Sequence, residues 1–156
     1  MFNFRTAAAL AVVISTGAAT TAAADETLIL NTLEIVGIEE NTLTIVQSPD
    51  AGHVAKITFS GRANGGASAE YPSDPAWFGP LEAGTIRQTG HAQLAVLSVS
   101  GIGNLFAISQ AGSNNSVSGS ISGTGNMAVV QQSGYANRTQ FSQQGQGNRL
   151  SVSQNM

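Results

Sequence analysis

Between Gln88 and Gln154 apolar residues alternate with polar ones in short runs such as LAVLSVS, LFAIS and MAVV, and each run is broken by a glycine and a carboxamide. Cut at every eleventh residue from Gln88, this half of the chain reads QTGHAQLAVLS, VSGIGNLFAIS, QAGSNNSVSGS, ISGTGNMAVVQ, QSGYANRTQFS and QQGQGNRLSVS, followed by the stub QNM. Gly90, Gly101, Gly112, Gly123, Gly134 and Gly145 fill the third column. Gln93 and then Asn104, Asn115, Asn126, Asn137 and Asn148 fill the sixth. Gln88, Gln110, Gln132, Gln143 and, in the stub, Gln154 open their rows, whereas Val99 and Ile121 open the other two. Alternate rows share G-x-G-N, so the repeating unit is nearer 22 residues, built of two unequal halves.

An eleven-residue period also suits a right-handed helical coiled coil. Composition decides against helix, because a glycine in every row costs about 1 kcal/mol relative to alanine, and Ser, Asn and Val add to that. A strand explains the columns. The second and fourth residues after each sixth-column amide lie on its side of a strand, and they are Ala95 and Leu97, Phe106 and Ile108, Val117 and Gly119, Ala128 and Val130, Thr139 and Phe141, Leu150 and Val152. The predicted inward core is therefore Leu97, Phe106, Ile108, Val117, Val130, Phe141, Leu150 and Val152, with Gly119 a weak point in the third row. Each row becomes a short strand followed by a turn around its glycine, where positive φ is cheap. Two rows make one coil. Coils stacked about 4.7 Å apart place Asn104, Asn115, Asn126, Asn137 and Asn148, and likewise Gln110, Gln132, Gln143 and Gln154, over their counterparts as amide ladders that satisfy one another.

Residues 25–60 carry a worn version of the pattern. NTLEIVG and NTLTIVQ start at Asn31 and Asn41, and Asn41, Leu43, Ile45 and Gln47 match the amide, the two inward positions and the glutamine of a later row. In HVAKITFSG, Val54 and Lys56 alternate with Ala55, Ile57 and Phe59. Residues 61–84 hold three of the four prolines and form a loop or insertion, since proline has no place in a central strand. The predicted fold is all-β: a two-sheeted parallel β-solenoid of strand-turn-strand repeats over 85–156, preceded by the less regular β segment 25–60 and the Gly/Pro-rich stretch 61–84. On the face expected to be outside, the early rows set Leu94 and Val96, Leu105 and Ala107, Met127 and Val129. An apolar strip of this kind marks a contact surface, for Tyr71, Trp77 and Phe78 of the insertion or for a partner subunit.

Charge and targeting narrow the function. Residues 1–24, MFNFRTAAALAVVISTGAATTAAA, have one basic residue, an apolar stretch of eight and small residues with Ala22 and Ala24 placed for cleavage, the pattern of a secretory signal peptide. That stretch is far short of the roughly 20 residues a membrane-spanning helix needs, so no membrane insertion is expected. The chain has no cysteine, so no disulfide staples it. All nine acids lie at or before Glu82, where they face Lys56 and Arg62, while 83–156 hold only Arg87, Arg138 and Arg149. Three scattered arginines make no phosphate-tracking stripe, and nucleic acid is not an expected partner.

The columns resemble those of curlin, the subunit of bacterial curli fibres, whose repeat reads Ser-x5-Gln-x-Gly-x-x-Asn-x-Ala-x3-Gln. In GTGNMAVVQQ, Gly123, Asn126, Ala128 and Gln132 occupy the family positions, and QAGSNN, QSGYAN and QQGQGN match the Gln-x-Gly-x-x-Asn core. The resemblance covers residues 88 to 154. Asn rather than Ser opens almost every row here, and a long segment precedes the clear repeats. These departures leave open whether the role is that of a major, a nucleating or an accessory subunit. The resemblance implies a secreted amyloid-fibre subunit of a Gram-negative bacterium, exported through a dedicated outer-membrane channel and stacked on itself or on a paired subunit in the biofilm matrix. A monomeric solenoid adhesin or a regulator of fibre assembly is the alternative.

No cofactor or enzymatic activity is expected. GTGNMA imitates a dinucleotide fingerprint, but GIGNLF and GQGNRL recur at the same repeat position with no helix to follow. The regular rows contain no Asp or Glu to bind calcium or to act as an acid and base pair. His53 and His91 read as solvated turn residues, 38 positions apart and without a cysteine.

Overall fold

In a computed structural model the chain is described over residues 12–16, 30–36, 41–48, 52–67 and 69–156. The described strands are β1 (Val12–Thr16), β2 (Leu30–Val36), β3 (Leu43–Gln47), β4 (Val54–Arg62), β5 (Thr85–His91), β6 (Leu94–Ile102), β7 (Leu105–Ser113), β8 (Ser116–Thr124), β9 (Met127–Tyr135), β10 (Arg138–Gln146) and β11 (Arg149–Asn155). They alternate between two parallel sheets. One runs β1-β3-β5-β7-β9-β11 and the other β2-β4-β6-β8-β10. The protein is a two-sheeted parallel β-solenoid, and in its repeat region each pairing steps 22 residues, as in Leu94↔Ser116, Ser116↔Arg138 and Leu105↔Met127.

The worn segment joins the same solenoid. β3 pairs with β5, and β4 pairs with β6 over its whole length. Asn41, Leu43, Ile45 and Gln47 are all buried. Asn31 does not take the corner position that the NTLEIVG match suggests, because β2 registers it against Ala55, the second residue of β4 and already inside the strand. Of residues 1–24, only Val12–Thr16 are described, so the cleavage region of the expected leader lies outside the described residues.

Strand-by-strand alternation produces one continuous core. Leu43, Ile45, Ala55, Ile57, Phe59, Ile86, Ala95, Leu97, Val99, Phe106, Ile108, Val117, Ile121, Ala128 and Val130 are buried together, and Phe141, Leu150 and Val152 pack against them at the last coil. Gly119 is no hole in this core. Phe141 sits directly over it in register, and a Cβ built on Gly119 would stand 2.3 Å from the Phe141 ring. Valine there would collide with that ring, so the third row is completed from the coil below.

The turns differ from the expectation. The column glycines belong to the strands, which run one residue beyond each of them; Gly101 lies inside Leu94–Ile102. The corner proper is two residues long, a left-handed residue followed by the amide. Ala63, Ala92, Gly103, Asn114, Gly125, Ala136 and Gly147 take φ between 50 and 65° and directly precede Asn64, Gln93, Asn104, Asn115, Asn126, Asn137 and Asn148. The column glycines bend the strand into the corner at φ near 100°, with the next coil against them: a Cβ on Gly101 would lie 2.0 Å from the Gly123 carbonyl oxygen.

The insertion is narrower than 61–84. Arg62 ends β4, Asn64 turns the corner and Gly65 bridges to Leu105, so residues through Gly65 still follow the coil. The chain then leaves the sheet and returns at Gly84, whose N–H donates to the Phe106 carbonyl at 2.7 Å, and Thr85 pairs with Ala107. The excursion is thus spliced between adjacent ladder positions of one strand. It carries the helical turn α1 (Pro75–Phe78), whose N-cap Asp74 accepts the Ala76 N–H at 3.1 Å. Phe78 lies buried on Leu105, Ala107 and Val129, with Trp77, Leu81, Ala83 and Met127 around it. The outer apolar strip of the six-stranded sheet is therefore covered from within the chain, while Leu94 on the other sheet stays 38% exposed.

Two glycine positions test the corner geometry. Gly101→Ala forces a methyl into a backbone carbonyl and is expected to lower unfolding free energy by at least about 3 kcal/mol. Gly125→Ala meets nothing within 4 Å, and it should lose only about 1 kcal/mol for the left-handed conformation. Urea unfolding of both variants checks the contrast.

Candidate functional site

The chemistry of this molecule is concentrated in carboxamides at the corners and in one strand column. Three files run along the solenoid. Asn41, Asn64, Asn104, Asn126 and Asn148 occupy one corner; His53, Gln93, Asn115 and Asn137 occupy the other; Gln47, Gln88, Gln110, Gln132 and Gln154 stand side by side in the six-stranded sheet. Amides buried this deeply cost several kcal/mol unless bonded, and most of these are fully bonded.

Each interior Asn of the repeat region ties three coils together. The Asn126 backbone N–H and its Nδ2 both donate to Asn104 Oδ1, at 3.1 and 2.9 Å. Asn126 Nδ2 also donates to the Ser122 carbonyl within its own coil and to the Gly145 carbonyl of the next. The same set recurs at Asn104 and, apart from the side-chain donation to the rung before, at Asn115. The glycine column and the amide column are therefore one device: close coil approach at the glycine brings its carbonyl to the Asn amide. Because backbone N–H groups donate to Oδ1, each amide has only one workable orientation.

The Gln file runs the opposite way. Gln88 Nε2 donates to Gln110 Oε1 at 2.9 Å, Gln110 to Gln132 at 3.0 Å and Gln132 to Gln154 at 2.9 Å. Its orientation is fixed by donation to the Val54, Leu94 and Ser116 carbonyls across the interior. From rung to rung, the Asn files thus donate toward the N-terminal coils and the Gln file toward the C-terminal ones.

Gln143 is not a rung. It belongs to the five-stranded sheet, registered over Ile121, which registers over Val99, so its column is apolar. Its Nε2 reaches the Met127 carbonyl at 3.2 Å, but its Oε1 is buried without a partner. The row openings alternate between Gln and aliphatic residues because alternate rows belong to different sheets, a signal present in Val99 and Ile121. His53 also departs from expectation. It is fully buried rather than solvated, sharing a hydrogen bond with Ser48 Oγ at 3.2 Å and accepting the Gln93 N–H at Nδ1. It starts the second corner file with a ring in place of an amide, whereas His91 is exposed.

The two files of asparagine end differently from the way they run. Asn137 is fully buried, yet its Oδ1 has no partner, although Asn115 Oδ1 in the coil above accepts both the Asn137 N–H and its Nδ2. Among the described residues nothing pairs with the outer edges of β10 and β11. Beside this end the insertion is anchored: Arg149 of β11 donates to Asp74 at 2.9 Å and lies over the Trp77 ring at 5.6 Å. A shallow cleft of about 400 Å³ there is lined by Tyr71, Asp74, Leu105, Met127 and Arg149. Its two carboxylates, Glu70 and Asp74, each lie within reach of an arginine, Arg62 at 3.9 Å and Arg149 at 2.9 Å, and no group of acids or histidines able to hold a metal occurs among the described residues. No described helix is long and apolar enough to cross a membrane.

The chain matches no protein-family model, no curated protein and no solved structure.

Paired substitutions separate rung from non-rung. Gln132→Ile takes one hydrogen bond each from Gln110 Nε2, Gln154 Oε1 and the Ser116 carbonyl, and is expected to cost about 2–4 kcal/mol. Gln143→Ile fits the Val99 and Ile121 column and removes an orphaned acceptor, so stability should hold or rise by about 1 kcal/mol. Denaturant midpoints of the two variants measure the difference.

Proposed function

We propose that this protein is a secreted, curlin-like structural subunit that stacks end to end into amyloid fibres of an extracellular matrix. The observation that carries the proposal is the unfinished ladder at the C-terminal end. Asn137 Oδ1 is buried, oriented and unpartnered, and an orphaned buried acceptor costs about 1–3 kcal/mol. A further coil presenting a backbone N–H would satisfy it as Asn137 satisfies Asn115. The strand edges at the same end carry none of the usual defences, since β11 reads RLSVSQN with a single charge and no proline.

Chemistry elsewhere favours scaffold over catalyst. Apart from His53 and Thr139, the buried polar side chains are carboxamides engaged with one another and with backbone carbonyls, and carboxamides have no proton to exchange near neutral pH. By resemblance, the chain would pass through an outer-membrane secretion channel and polymerise with itself or with a paired nucleating subunit.

A second reading, a monomeric solenoid adhesin or assembly regulator, draws support from the insertion, which covers the apolar strip of the six-stranded sheet within a single molecule. Sedimentation and fibre diffraction of the purified protein distinguish the two. The fibre subunit should sediment as a growing polymer, bind amyloid dyes and diffract near 4.7 and 10 Å. A persistent soluble monomer at concentrations of roughly 100 μM, with or without preformed fibres as seed, would exclude the polymer.

A further inference from the structure

The opposite end of the solenoid holds a strand that does not belong to a complete coil. Each later coil contributes one strand to each sheet: β2 with β3, β4 with β5, and so on to β10 with β11. Among the described strands β1 alone is unmatched, and it makes the first sheet six-stranded against five. It pairs in parallel with β3, placing Val12 against Leu43, Ile14 against Ile45 and Thr16 against Gln47. The columns these residues enter can be followed through the molecule. Ile45 leads through Ile86, Ile108 and Val130 to Val152, and Gln47 leads through Gln88, Gln110 and Gln132 to Gln154.

Val12-Val-Ile14-Ser-Thr16 thus stands on β3 where the sequence Leu150-Ser-Val152-Ser-Gln154 would stand if another copy's β11 continued the sheet. Val12 and Ile14 match the β-branched and aliphatic residues of those columns, while Thr16 replaces the glutamine. This strand also lies inside residues 1–24, the segment whose composition is that of a cleavable leader.

We propose that the leader strand Val12–Thr16 is a built-in cap on the receiving edge of the solenoid, standing in for β11 of a second copy until the leader is removed. The inference rests on the polymer reading above. Its physical basis is the sheet edge. A parallel strand presents unpaired N–H and C=O groups, and whatever pairs with them first blocks further pairing. With β1 in place the N-terminal end of the described residues is stepped, because the first sheet extends one described strand beyond the second. Without it, β2 and β3 end flush as one coil, matching β10 and β11 at the other end.

In register, such a joint sets Asn41 over Asn148, continuing the Asn file in its own direction, and Gln47 over Gln154, whose Nε2 points that way. A second copy therefore brings amide rungs that the leader strand lacks at Thr16. The cap is the weaker imitation of the joint. A chain that keeps its leader is expected to offer its C-terminal edge to others but to accept none, so it ends growth rather than propagating it.

The test uses the full chain with a specific protease site introduced between Ala24 and Asp25, and follows light scattering and amyloid-dye fluorescence on preformed fibres of cut chain, before and after cleavage. An uncut Ser15→Pro variant serves as the second arm: Ser15 registers with Val46, in the column whose residues donate their N–H to the next coil, so proline there removes an N–H directed at β3. Cleavage is expected to raise the elongation rate about tenfold or more, equivalent to roughly 1.4 kcal/mol at the edge, and the uncut proline variant should grow like cut protein. Equal rates before and after cleavage would overturn the cap and leave the polymer standing. So would an uncut proline variant as slow as its parent, since inhibition would then not run through strand pairing. If neither cut nor uncut protein ever elongates, the polymer reading fails and the cap fails with it.

Discussion

A parallel coil must turn back on itself at each end of every strand, and at those corners the backbone leaves the ladder that satisfies it elsewhere. The carbonyls and N–H groups there still lie inside the molecule, where an unmet partner is expensive. A short carboxamide resolves this because it carries donor and acceptor on one rigid plane, at about the coil spacing. Asn104 serves the carbonyl of its own coil and that of the next while its oxygen receives the following backbone N–H. The rest of the architecture follows from that contact. The glycine three residues earlier lets the coils approach closely enough, and the left-handed residue just before the amide aims it inward.

The same constraint explains how much could be read from the chain. Spacing of Gly101, Asn104, Phe106 and Ile108 fixes strand, corner and inward face together, because one register error would expose every one of them. What escaped were matters of which sheet and which neighbour. Gln143 occupies the same column of the eleven-residue alignment as Gln132, yet their sheets differ, and only the 22-residue unit separates a glutamine file from an aliphatic one. His53 looks like a loop residue because its row is interrupted upstream, but it occupies a corner that Gln93 and Asn115 occupy below it. Gly119 looks like a weakness until the residue 22 positions later proves to be Phe141, whose ring fills the space. Each of these depends on a residue one coil away, which local pattern does not weigh.

The insertion adds a different kind of information. Prolines mark residues 72 to 80 as outside the sheet, but they do not say where the excursion is attached. Attachment is decided at Gly65 and Gly84. A Cβ at Gly65 would strike the Thr42 carbonyl oxygen and one at Gly84 would crowd the backbone of Gly65 and Gly66, so the two stems can pass only as glycines. From that pinch the segment reaches over β7 and β9 to β11, where Asp74 and Trp77 meet Arg149. It binds successive coils on their outer side, as the amides do on the inner.

Covering the side while leaving the C-terminal strand edges unpaired among the described residues bears on the dimensionality of any assembly. Apolar surface on a sheet face attracts other faces and leads to sheets packed laterally, whereas unpaired strand edges attract strands along one axis only. Here Phe78 removes Leu105, Ala107 and Val129 from the outer face, and the outward residues of β8 and β10 are Ser116, Ser118, Ser120 and Ser122, then Arg138, Gln140, Ser142 and Gln144. The strongest unmet demands left in the described molecule are directional ones at the coil ends. Because the Asn and Gln files run in opposite senses, an end offers amide acceptors at its corners and an amide donor in its Gln column. A copy docked in the wrong direction would set acceptor against acceptor. On the proposed polymer reading, growth from such ends would be linear and polar, set by the amide files rather than by any surface patch.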